Sequence, residues 1–362
     1  MKIAVVHDWL VVDAGAEKVL RGIIECYPDA DIFSLVDFLS NEEQESILMD
    51  KYAHTSFIQN LPFAKKQFRN YLPLFPKAIE SFDLSAYDLV ISSSWAVAKG
   101  VKCTSEQVHI SYCHTPIRYA WDLYDEYTCN LKQPKKFLVE LTLKYIKNWD
   151  FATRDRVDYY IANSTFVKNR IANNYKREAK VIHPPVDTDA FKLQINKKEF
   201  YVTVSRLVPY KKVSMIVKAF NDNGKNLVVI GAGEEYEFIR SIAKDNITVM
   251  GWQERDVIID YMQRAKAFVY AAEEDFGIVP VEAMACGTPV IAYGVGGVRD
   301  SVVENKTGIF FDKQTPESLN VAVNKFESLS FSAKIISQHA QQFSIQNFKD
   351  KLLKYIKQVS YA

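Results

Sequence analysis

The chain has 362 residues, of which 48% are hydrophobic and 25% are charged, and its formal net charge is +1. This composition is typical of a globular protein and excludes a disordered chain or one that coats nucleic acid through a large positive charge. The length exceeds what one ordinary hydrophobic core organises, so we expect two domains.

The cysteines and the apolar segments predict the compartment. The five cysteines form no C-x-x-C pair, which favours free thiols in a reducing cytosol. Residues 1–6 are typical of a strand rather than a signal peptide, and no window of eighteen apolar residues is present. We therefore expect a cytoplasmic protein without a membrane span. The cysteines are Cys26, Cys103, Cys113, Cys129 and Cys286.

The first half of the chain alternates predicted strands with predicted helices. Gly15–Cys26 has helical periodicity, and four apolar runs are typical of buried strands. This alternation predicts a parallel sheet with helices on both faces. The four runs are Ile3–Val6, Asp88–Ser92, Val108–Cys113 and Tyr159–Ala162.

A second alternation follows the polar, proline-containing linker Pro184–Lys198, and the final segment Phe343–Tyr361 is helical by pattern. Two such halves predict two Rossmann-like domains that face each other across a ligand-binding cleft. The predicted strands of this half are Phe200–Val204, Leu227–Ile230, Ile247–Met250, Ala267–Tyr270 and Pro289–Ala292.

Two stretches of the first half combine basic and aromatic residues. Leu61–Lys77 carries four cations and no acid, and Lys132–Lys147 carries five lysines against Glu140. Such stretches can hold a protein on an anionic bilayer surface. The alternative is a helix with one solvated face and one core face.

Two carboxylates eight residues apart define the principal candidate site. Glu274 lies in a glycine-containing loop after a strand, and Glu282 lies on a short helix that begins near Val279 and is stopped by Gly287. Amide groups at the start of that helix suit an anionic ligand such as a diphosphate. Hydroxyl groups on either side of the diphosphate could bind the two carboxylates, so the pattern predicts a nucleotide-sugar site.

Arg206 and Lys211 follow the first strand of the second half. Cations at the end of a parallel strand could neutralise a diphosphate and stabilise it as it leaves. The register favours Lys211 over the neighbouring Lys212 for this role. The alternative is a basic surface cluster at the start of a helix.

Two further candidates come from the first half. Gly15 opens the first helix and permits close approach of the backbone to an anion. His114 follows a strand and is followed by Thr115 and Pro116. The proline forces an extended exit from the strand. An isolated histidine is more often structural than catalytic.

These segments, in this order, resemble family 4 of the retaining glycosyltransferases. Glu274–Glu282 resembles its E-x7-E motif, Arg206–Lys211 its R-x4-K element, and Asp13–Lys18 its G-G-A-E loop, with Ala14 in place of the first glycine. The family usually has glycine at the position of Lys212. The resemblance implies a GT-B architecture, with an acceptor domain over residues 1–186, a donor domain over 187–342, and a final helix, 343–362, that crosses back to the first domain.

The resemblance also implies site roles. His114, Arg206, Lys211 and Glu274 are the implied catalytic residues, with His114 near the reacting carbon. Arg118, Tyr119, Trp121 and Asp122 are expected on the acceptor side, although Tyr119 and Trp121 could equally belong to the core. The donor-binding set is Gly15, Ala16, Arg206, Lys211, Trp252, Glu274, Phe276, Gly277, Ile278, Val279 and Glu282, and core packing of Trp252 is the alternative for that residue.

The implied reaction is metal-independent hexosyl transfer with retention, without a cofactor. The chain is most similar to members that transfer mannose, fucose or related sugars in surface-polysaccharide assembly. This implies GDP-mannose as donor, a lipid-linked oligosaccharide as acceptor and a peripheral location at the inner face of the cell membrane. A UDP-hexose transferase, a sugar-nucleotide epimerase and a non-catalytic nucleotide-sugar-binding subunit are the alternatives.

Overall fold

The computed structural model of the protein describes residues 1–122 and 133–360. Cys129, Lys132 and Tyr361, which belong to segments discussed above, lie outside the described residues. The chain divides into two compact units. Unit 1 comprises Met1–Pro185 and the residues from Phe348 onward, and unit 2 comprises Val186–Asn347.

Unit 1 is built on a parallel sheet of seven strands within the described residues, in the order β3-β2-β1-β4-β5-β6-β7. The central strands begin with apolar residues and are buried along their whole length because helices cover both faces. The strands are β1 Ile3–His7, β2 Asp31–Ser34, β3 Ala53–Thr55, β4 Leu89–Ser94, β5 Val108–Cys113, β6 Tyr159–Ala162 and β7 Ala179–Val181.

The helices of unit 1 bury one apolar stripe each. In the first, Val19, Leu20 and Ile23 pack against the sheet. Ser164 begins the sixth, because its hydroxyl accepts a 3.1 Å hydrogen bond from the Val167 N–H. These helices are α1 Gly15–Cys26, α2 Asn41–Leu48, α3 Ala64–Gln67, α4 Phe75–Ile79, α5 Lys135–Ala152 and α6 Thr165–Tyr175.

Unit 2 has a second parallel sheet, with six strands among the described residues, in the order β10-β9-β8-β11-β12-β13. The strand order reverses at β8, as it does at β1 in unit 1. Loops that leave the strands at such a reversal diverge and open a crevice for ligands. The strands are β8 Tyr201–Val204, β9 Leu227–Ile230, β10 Ile247–Gly251, β11 Ala267–Tyr270, β12 Val290–Tyr293 and β13 Gly308–Phe311.

Helices separate the strands of unit 2, and the last helix returns to unit 1. Phe348, Leu352 and Ile356 are spaced four residues apart and join the core of unit 1 beside Ile3 and Val5. The helices are α7 Val213–Asn223, α8 Tyr236–Ile242, α9 Arg255–Arg264, α10 Ile278–Ala285, α11 Val298–Ser301, α12 Pro316–Glu327, α13 Ala333–Ala340 and α14 Ile345–Ser360.

The predicted α/β class, with two parallel sheets, is confirmed. Helix α10 begins one residue earlier than predicted and ends at Ala285, with Cys286 at its C-cap. Gly287 therefore lies just beyond the cap, with φ 74°. The final helix begins at Ile345, because Gln341–Phe343 forms a separate 3-10 turn.

Candidate active site

The loops that follow β8 and β11 meet at the strand-order reversal of unit 2. The two strands are parallel neighbours, with Ala267 beside Tyr201 and Phe268 beside Val202. Their carboxyl ends therefore lie at the same edge of the sheet, and the segments 205–212 and 271–277 leave from that edge. This topology explains why the R-x4-K and E-x7-E segments lie together.

Lys211 and Glu274 form an ion pair at this edge. The Lys211 Nζ donates to Glu274 Oε1, and the Tyr270 hydroxyl donates to Oε2 of the same carboxylate. The two charged side chains are only 14% and 24% exposed, which limits screening by water. Burial and the neighbouring Glu274 raise the pKa of Tyr270 well above its usual value, so its hydroxyl stays a donor. The result is a carboxylate of fixed orientation beside an ammonium group.

Sequence reasoning missed Tyr270, although it ends the strand before the motif. Its signal is the spacing, because a tyrosine four residues before Glu274 can reach back to the carboxylate across a tight loop. Gly277 makes this possible, because it adopts φ 86° and a Cβ there would lie 3.0 Å from the Tyr270 oxygen.

A glycine-rich segment after β12 supports the same loop. The Gly297 N–H donates to the Glu274 carbonyl at 2.8 Å. A Cβ at Gly297 would lie 2.2 Å from the Asp275 carbonyl oxygen, and one at Gly296 would lie 2.5 Å from the Glu274 carbonyl oxygen. Only glycine permits this approach, so this segment holds the backbone that presents Glu274.

The loop that carries Arg206 interlocks with the loop after β9. The Leu207 N–H donates to the Ala232 carbonyl at 2.8 Å, and the Glu235 N–H donates to the Leu207 carbonyl at 2.9 Å. A Cβ at Gly231 would lie 1.8 Å from the Ser205 carbonyl oxygen. The glycines after β9 therefore serve backbone packing beneath Arg206, whose side chain is exposed.

Lys211 and Lys212 occupy different positions in the loop. Lys211 ends the 3-10 turn Pro209–Lys211 and reaches Glu274. Lys212 is the N-cap of α7 and adopts the left-handed conformation, with φ 57°. Glycine adopts this conformation without steric cost, which gives a physical reason for the usual glycine at this position.

The other predicted donor-binding residues of unit 2 differ in exposure. Phe276 is 4% exposed and its ring lies 5.6 Å from the ring of Phe343, so its side chain belongs to the core of unit 2. Glu282 is 9% exposed on α10, where Ile278 and Val279 are half-buried. Trp252 is 67% exposed, so the core-packing alternative for this residue is wrong.

In unit 1, His114 lies at the end of β5 and pairs with β4. Its Nε2 lies 2.8 Å from the Ser93 hydroxyl, and its ring centroid lies 5.7 Å from that of Trp95. Burial, together with the nearby His7, lowers the pKa of His114 to about 3. The imidazole is therefore neutral at pH 7 and can exchange hydrogen bonds with a hydroxyl group.

Gly15 and Ala16 begin α1 next to a buried polar pair that sequence reasoning missed. The Glu17 carboxylate accepts from the Ala14 N–H at 3.1 Å, and its other oxygen lies 3.6 Å from His7 Nε2. Glu17 is 2% exposed and His7 is fully buried. The loop before α1 is thus tied to the end of β1.

Asp8 connects the loops after β1 and β4. Its fully buried carboxylate accepts hydrogen bonds of 2.6 to 2.8 Å from four consecutive amides of residues 95–98. Burial outweighs these bonds and raises its pKa. A carboxylate that uses its oxygens in this way organises the backbone next to Trp95.

The four predicted acceptor-side residues lie in two environments. Arg118 and Tyr119 line a cavity of about 510 Å³ in unit 1. Trp121 instead packs inward, and its indole N–H donates to the Asp150 carboxylate at 2.8 Å. Asp122 forms an ion pair with Arg170. Two of the four residues therefore line the cavity, and the other two anchor the segment that follows β5 to the rest of unit 1.

Comparison with family models matches both units. Residues 15–190 match the model described as Glycosyltransferase Family 4, and residues 185–343 match the model described as Glycosyl transferases group 1. Together the two models match residues 15–343, so the chain is similar to glycosyltransferases of family 4 over most of its length.

Curated relatives of this chain include proteins with a named donor. An uncharacterized glycosyltransferase of Methanocaldococcus jannaschii is 29% identical over 192 residues, which cover 52% of this chain and 54% of the relative. The GDP-mannose-dependent alpha-(1-6)-phosphatidylinositol monomannoside mannosyltransferase of Mycobacterium tuberculosis is 28% identical over 201 residues, which cover 47% and 52%. The matched region spans about half the length of these relatives.

Solved structures share the fold of this chain. The Anabaena protein HepE, crystallised with UDP, superposes with a TM-score of 0.71 at 18% identity over 99% of this chain and 100% of that one. A sucrose-phosphate synthase of Thermosynechococcus elongatus superposes with a TM-score of 0.69 at 15% identity, with 99% of both chains covered. The predicted GT-B architecture is confirmed.

Two features are absent from the part of the chain that the structure describes, a metal-binding cluster and a membrane-spanning helix. Residues 1–122 and 133–360 contain no cluster of three or more histidine, cysteine, aspartate or glutamate side chains that could hold a metal ion. Across the same residues, no helix combines the length and the apolar character needed to cross a bilayer.

Proposed function

We propose that the protein is a retaining glycosyltransferase that moves mannose from GDP-mannose to a lipid-linked oligosaccharide. The observation that carries this proposal is the cluster of Lys211, Glu274 and Tyr270 at the strand-order reversal of unit 2. The GDP-mannose dependence named for the Mycobacterium tuberculosis relative supports the choice of donor. Assembly of a cell-surface polysaccharide is the process that we propose for this reaction.

Departure of the nucleoside diphosphate is the step that needs electrostatic help. Negative charge grows on the diphosphate as the bond to the sugar breaks, and the Lys211 ammonium and the Arg206 guanidinium would stabilise it. These two fixed cations take the part that a metal ion has in other transferases, so we propose that the reaction is metal-independent.

Sugar recognition falls to groups that accept or exchange hydrogen bonds. Glu274 is held by two donors, so its remaining lone pairs have a fixed direction for the hydroxyl groups of the hexose. Glu282 would bind the ribose, and the neutral His114 would hydrogen-bond the hexose near its anomeric carbon. The acceptor hydroxyl would attack on the face from which the diphosphate leaves, with its proton ending on the diphosphate. No protein nucleophile is required.

Contact with a membrane would bring the protein to a lipid-linked acceptor. On α5, Phe137, Leu138 and Leu141 are 65%, 64% and 57% exposed. Lys144 and Lys147 lie on the same helix and would interact with anionic lipid headgroups. We propose peripheral binding to the cytoplasmic face. Co-sedimentation with phosphatidylglycerol vesicles should fall for Leu141→Glu, and equal sedimentation of this variant would contradict the contact.

The deciding experiment is a donor panel with purified protein. GDP-mannose, GDP-fucose, UDP-glucose and UDP-galactose are each incubated with and without a synthetic prenyl-diphosphate oligosaccharide, in the presence and absence of EDTA. We expect GDP-mannose consumption only with the acceptor, unaffected by EDTA, and an α-linked product.

Each alternative has its own outcome in this panel. Turnover of a UDP-hexose alone would support the UDP-dependent alternative, which the HepE complexes with UDP and UDP-glucose make worth testing. Conversion of the donor without acceptor would indicate an epimerase. Donor binding without any conversion would indicate a non-catalytic subunit.

A further inference from the structure

A cavity of about 510 Å³ in unit 1 has apolar walls and a cationic rim. Its walls include the indoles of Trp9 and Trp95, whose ring centroids lie 5.0 Å apart, and the buried ring of Phe75, 6.1 Å from Trp9. Leu143 of α5 closes one side and is 4% exposed. The volume is that of a site for one drug-sized ligand, and the walls favour a hydrocarbon group.

Arginines supply the charge of this cavity. The exposed Arg69 lies with its guanidinium carbon 5.8 Å from the Trp9 ring and 4.9 Å from the Phe68 ring. Within the described residues no carboxylate pairs with Arg69, so its donors can bind an anion. Arg118 lines the same cavity. Guanidinium groups beside aromatic rings suit a phosphate at the end of an apolar chain.

The cavity adjoins the exposed apolar face of α5, because one residue of that helix lines both the cavity and a groove on that face. Leu143 lines both the cavity and a second groove, whose other walls include Phe137, Leu141 and Lys144. A hydrocarbon chain that leaves a bilayer at the exposed face of α5 therefore meets the cavity at Leu143. The apolar walls, the arginines and this adjacency together specify an amphiphile rather than a free sugar or an inorganic anion.

We propose that this cavity binds the phosphate-bearing end of a single-chain lipid, with the chain against Trp9, Phe75 and Leu143 and the phosphate at Arg69 and Arg118. The lipid is the carrier of the glycosyl acceptor, so this inference rests on the proposed function. A volume of about 510 Å³ suits one hydrocarbon chain better than two, so we take the ligand to be a single-chain carrier rather than a two-chain phospholipid.

Binding can be measured without any donor sugar, on the full chain. Decyl phosphate, below its micelle concentration, is titrated by calorimetry beside decanol and inorganic phosphate. We expect decyl phosphate to bind at least about tenfold more tightly than decanol or inorganic phosphate, because both the hydrocarbon chain and the phosphate charge contribute to its affinity. Quenching of tryptophan fluorescence by a brominated decyl phosphate reports on Trp9 and Trp95 directly.

Matched variants locate the site. Leu143→Trp fills the cavity and should abolish decyl phosphate binding. Tyr145→Trp, at an exposed position of the same helix that lines neither the cavity nor the groove, should leave it unchanged. Val139→Trp, at a second lining position, serves if Leu143→Trp does not fold. Arg69→Gln should weaken decyl phosphate about tenfold and leave decanol unchanged, since one charged partner is lost. Lys66→Gln is its control.

Three outcomes would overturn the inference. One is equal affinity of the wild type and a folded, cavity-filled variant for decyl phosphate. Another is binding of decyl phosphate no tighter than that of decanol. The third is that Leu143→Trp abolishes binding to phosphatidylglycerol vesicles but not binding of decyl phosphate. This result would assign the cavity to bilayer phospholipid. Because no donor is present, failure of this binding is distinct from failure of sugar transfer.

Discussion

The ammonium group of Lys211 and the carboxylate of Glu274 form an ion pair although the residues are 63 positions apart in the chain. They meet because β8 and β11 are adjacent parallel strands at the point where the strand order of unit 2 reverses. The pair places a cation suited to phosphate next to an acceptor suited to hydroxyl groups. We expect a ligand that offers both kinds of group to contact both residues at once.

Removing the cation should reduce turnover strongly. We expect Lys211→Ala to cost ~2–4 kcal/mol of transition-state stabilisation, since in the proposed reaction it deletes a charge beside the departing diphosphate. The measurement is kcat/KM with the donor identified in the panel. Lys218→Ala, an exposed lysine on α7, is the control and should be close to wild type. Full activity of Lys211→Ala would remove this residue from the site.

Tyr270 should act on the donor sugar through Glu274. Tyr270→Phe keeps the ring and deletes only the hydroxyl that donates to the carboxylate. We expect a loss of about 1 kcal/mol, or roughly fivefold, in kcat/KM, which is the size of one hydrogen bond. In the Glu274→Ala background the same change should have no further effect. Additive losses in this double-mutant cycle would show that Tyr270 acts independently of Glu274.

Lys212 should be less favourable for stability than glycine. Its φ of 57° places a side chain in the left-handed region, at a cost of ~1 kcal/mol that glycine avoids. We expect Lys212→Gly to raise the free energy of unfolding by up to ~1 kcal/mol in urea denaturation. The greater conformational entropy of glycine in the unfolded chain offsets part of this gain. Lys218→Gly, in the interior of α7, should instead lower it by ~1 kcal/mol. A loss of stability in Lys212→Gly would contradict this account.

Gly297 should tolerate no side chain, because the Glu274 loop packs against it. The Cβ of Gly297→Ala would lie 2.2 Å from the Asp275 carbonyl oxygen, so the loop must shift. We expect a loss of ~1–3 kcal/mol in the free energy of unfolding and a weaker donor affinity. Gly224→Ala is the contrast, because a Cβ there meets nothing within 4 Å and only the positive φ of 71° adds strain. Unchanged donor affinity in a folded Gly297→Ala protein would separate this segment from the site.

The sequence predicted the long buried elements better than the short ones. The bounds of α1, β5 and β6 match the predicted segments, because apolar runs and helical periodicity extend over their whole length. The strands β2, β3, β7 and β13 have three or four residues each and were not predicted. They gain their stability from neighbours in the sheet, and so few residues carry no measurable alternation.

The candidate site was predicted through motifs rather than through contacts. Glu274 and Lys211 stood out by spacing, whereas Gly297 and Asp8 became evident only through their partners. Asp8 accepts from amides almost ninety residues further along the chain, and no local pattern carries that information. Residues that position a site through long-range hydrogen bonds are the part that a single sequence does not reveal.

A buried histidine should make stability depend on pH above the range where carboxylates titrate. The Nδ1–H of His109 donates to the Arg156 carbonyl at 2.8 Å, its Nε2 accepts from the Ser92 hydroxyl at 2.9 Å, and burial lowers its pKa to about 4. The unfolded chain binds a proton near the ordinary value of 6.5, but the folded protein does so only near 4. Stability is therefore lost as the pH falls from 6.5 towards 4, by at most ~1.4 kcal/mol per pH unit for this group.

His109→Asn tests this dependence, because an asparagine amide can replace the donor to Arg156 without a titrating ring. Urea unfolding at pH 7, 6 and 5 should give a smaller loss of stability for the variant than for the wild type. His114, whose pKa is lowered to about 3, keeps its own contribution of the same sign in both proteins. The pKa of Glu327 is lowered to about 2, so this group reduces the stability of the protein only below its ordinary value of 4.5. It therefore does not contribute between pH 7 and pH 5, where the measurements are made. Parallel curves for the two proteins would show that His109 is not the titrating group.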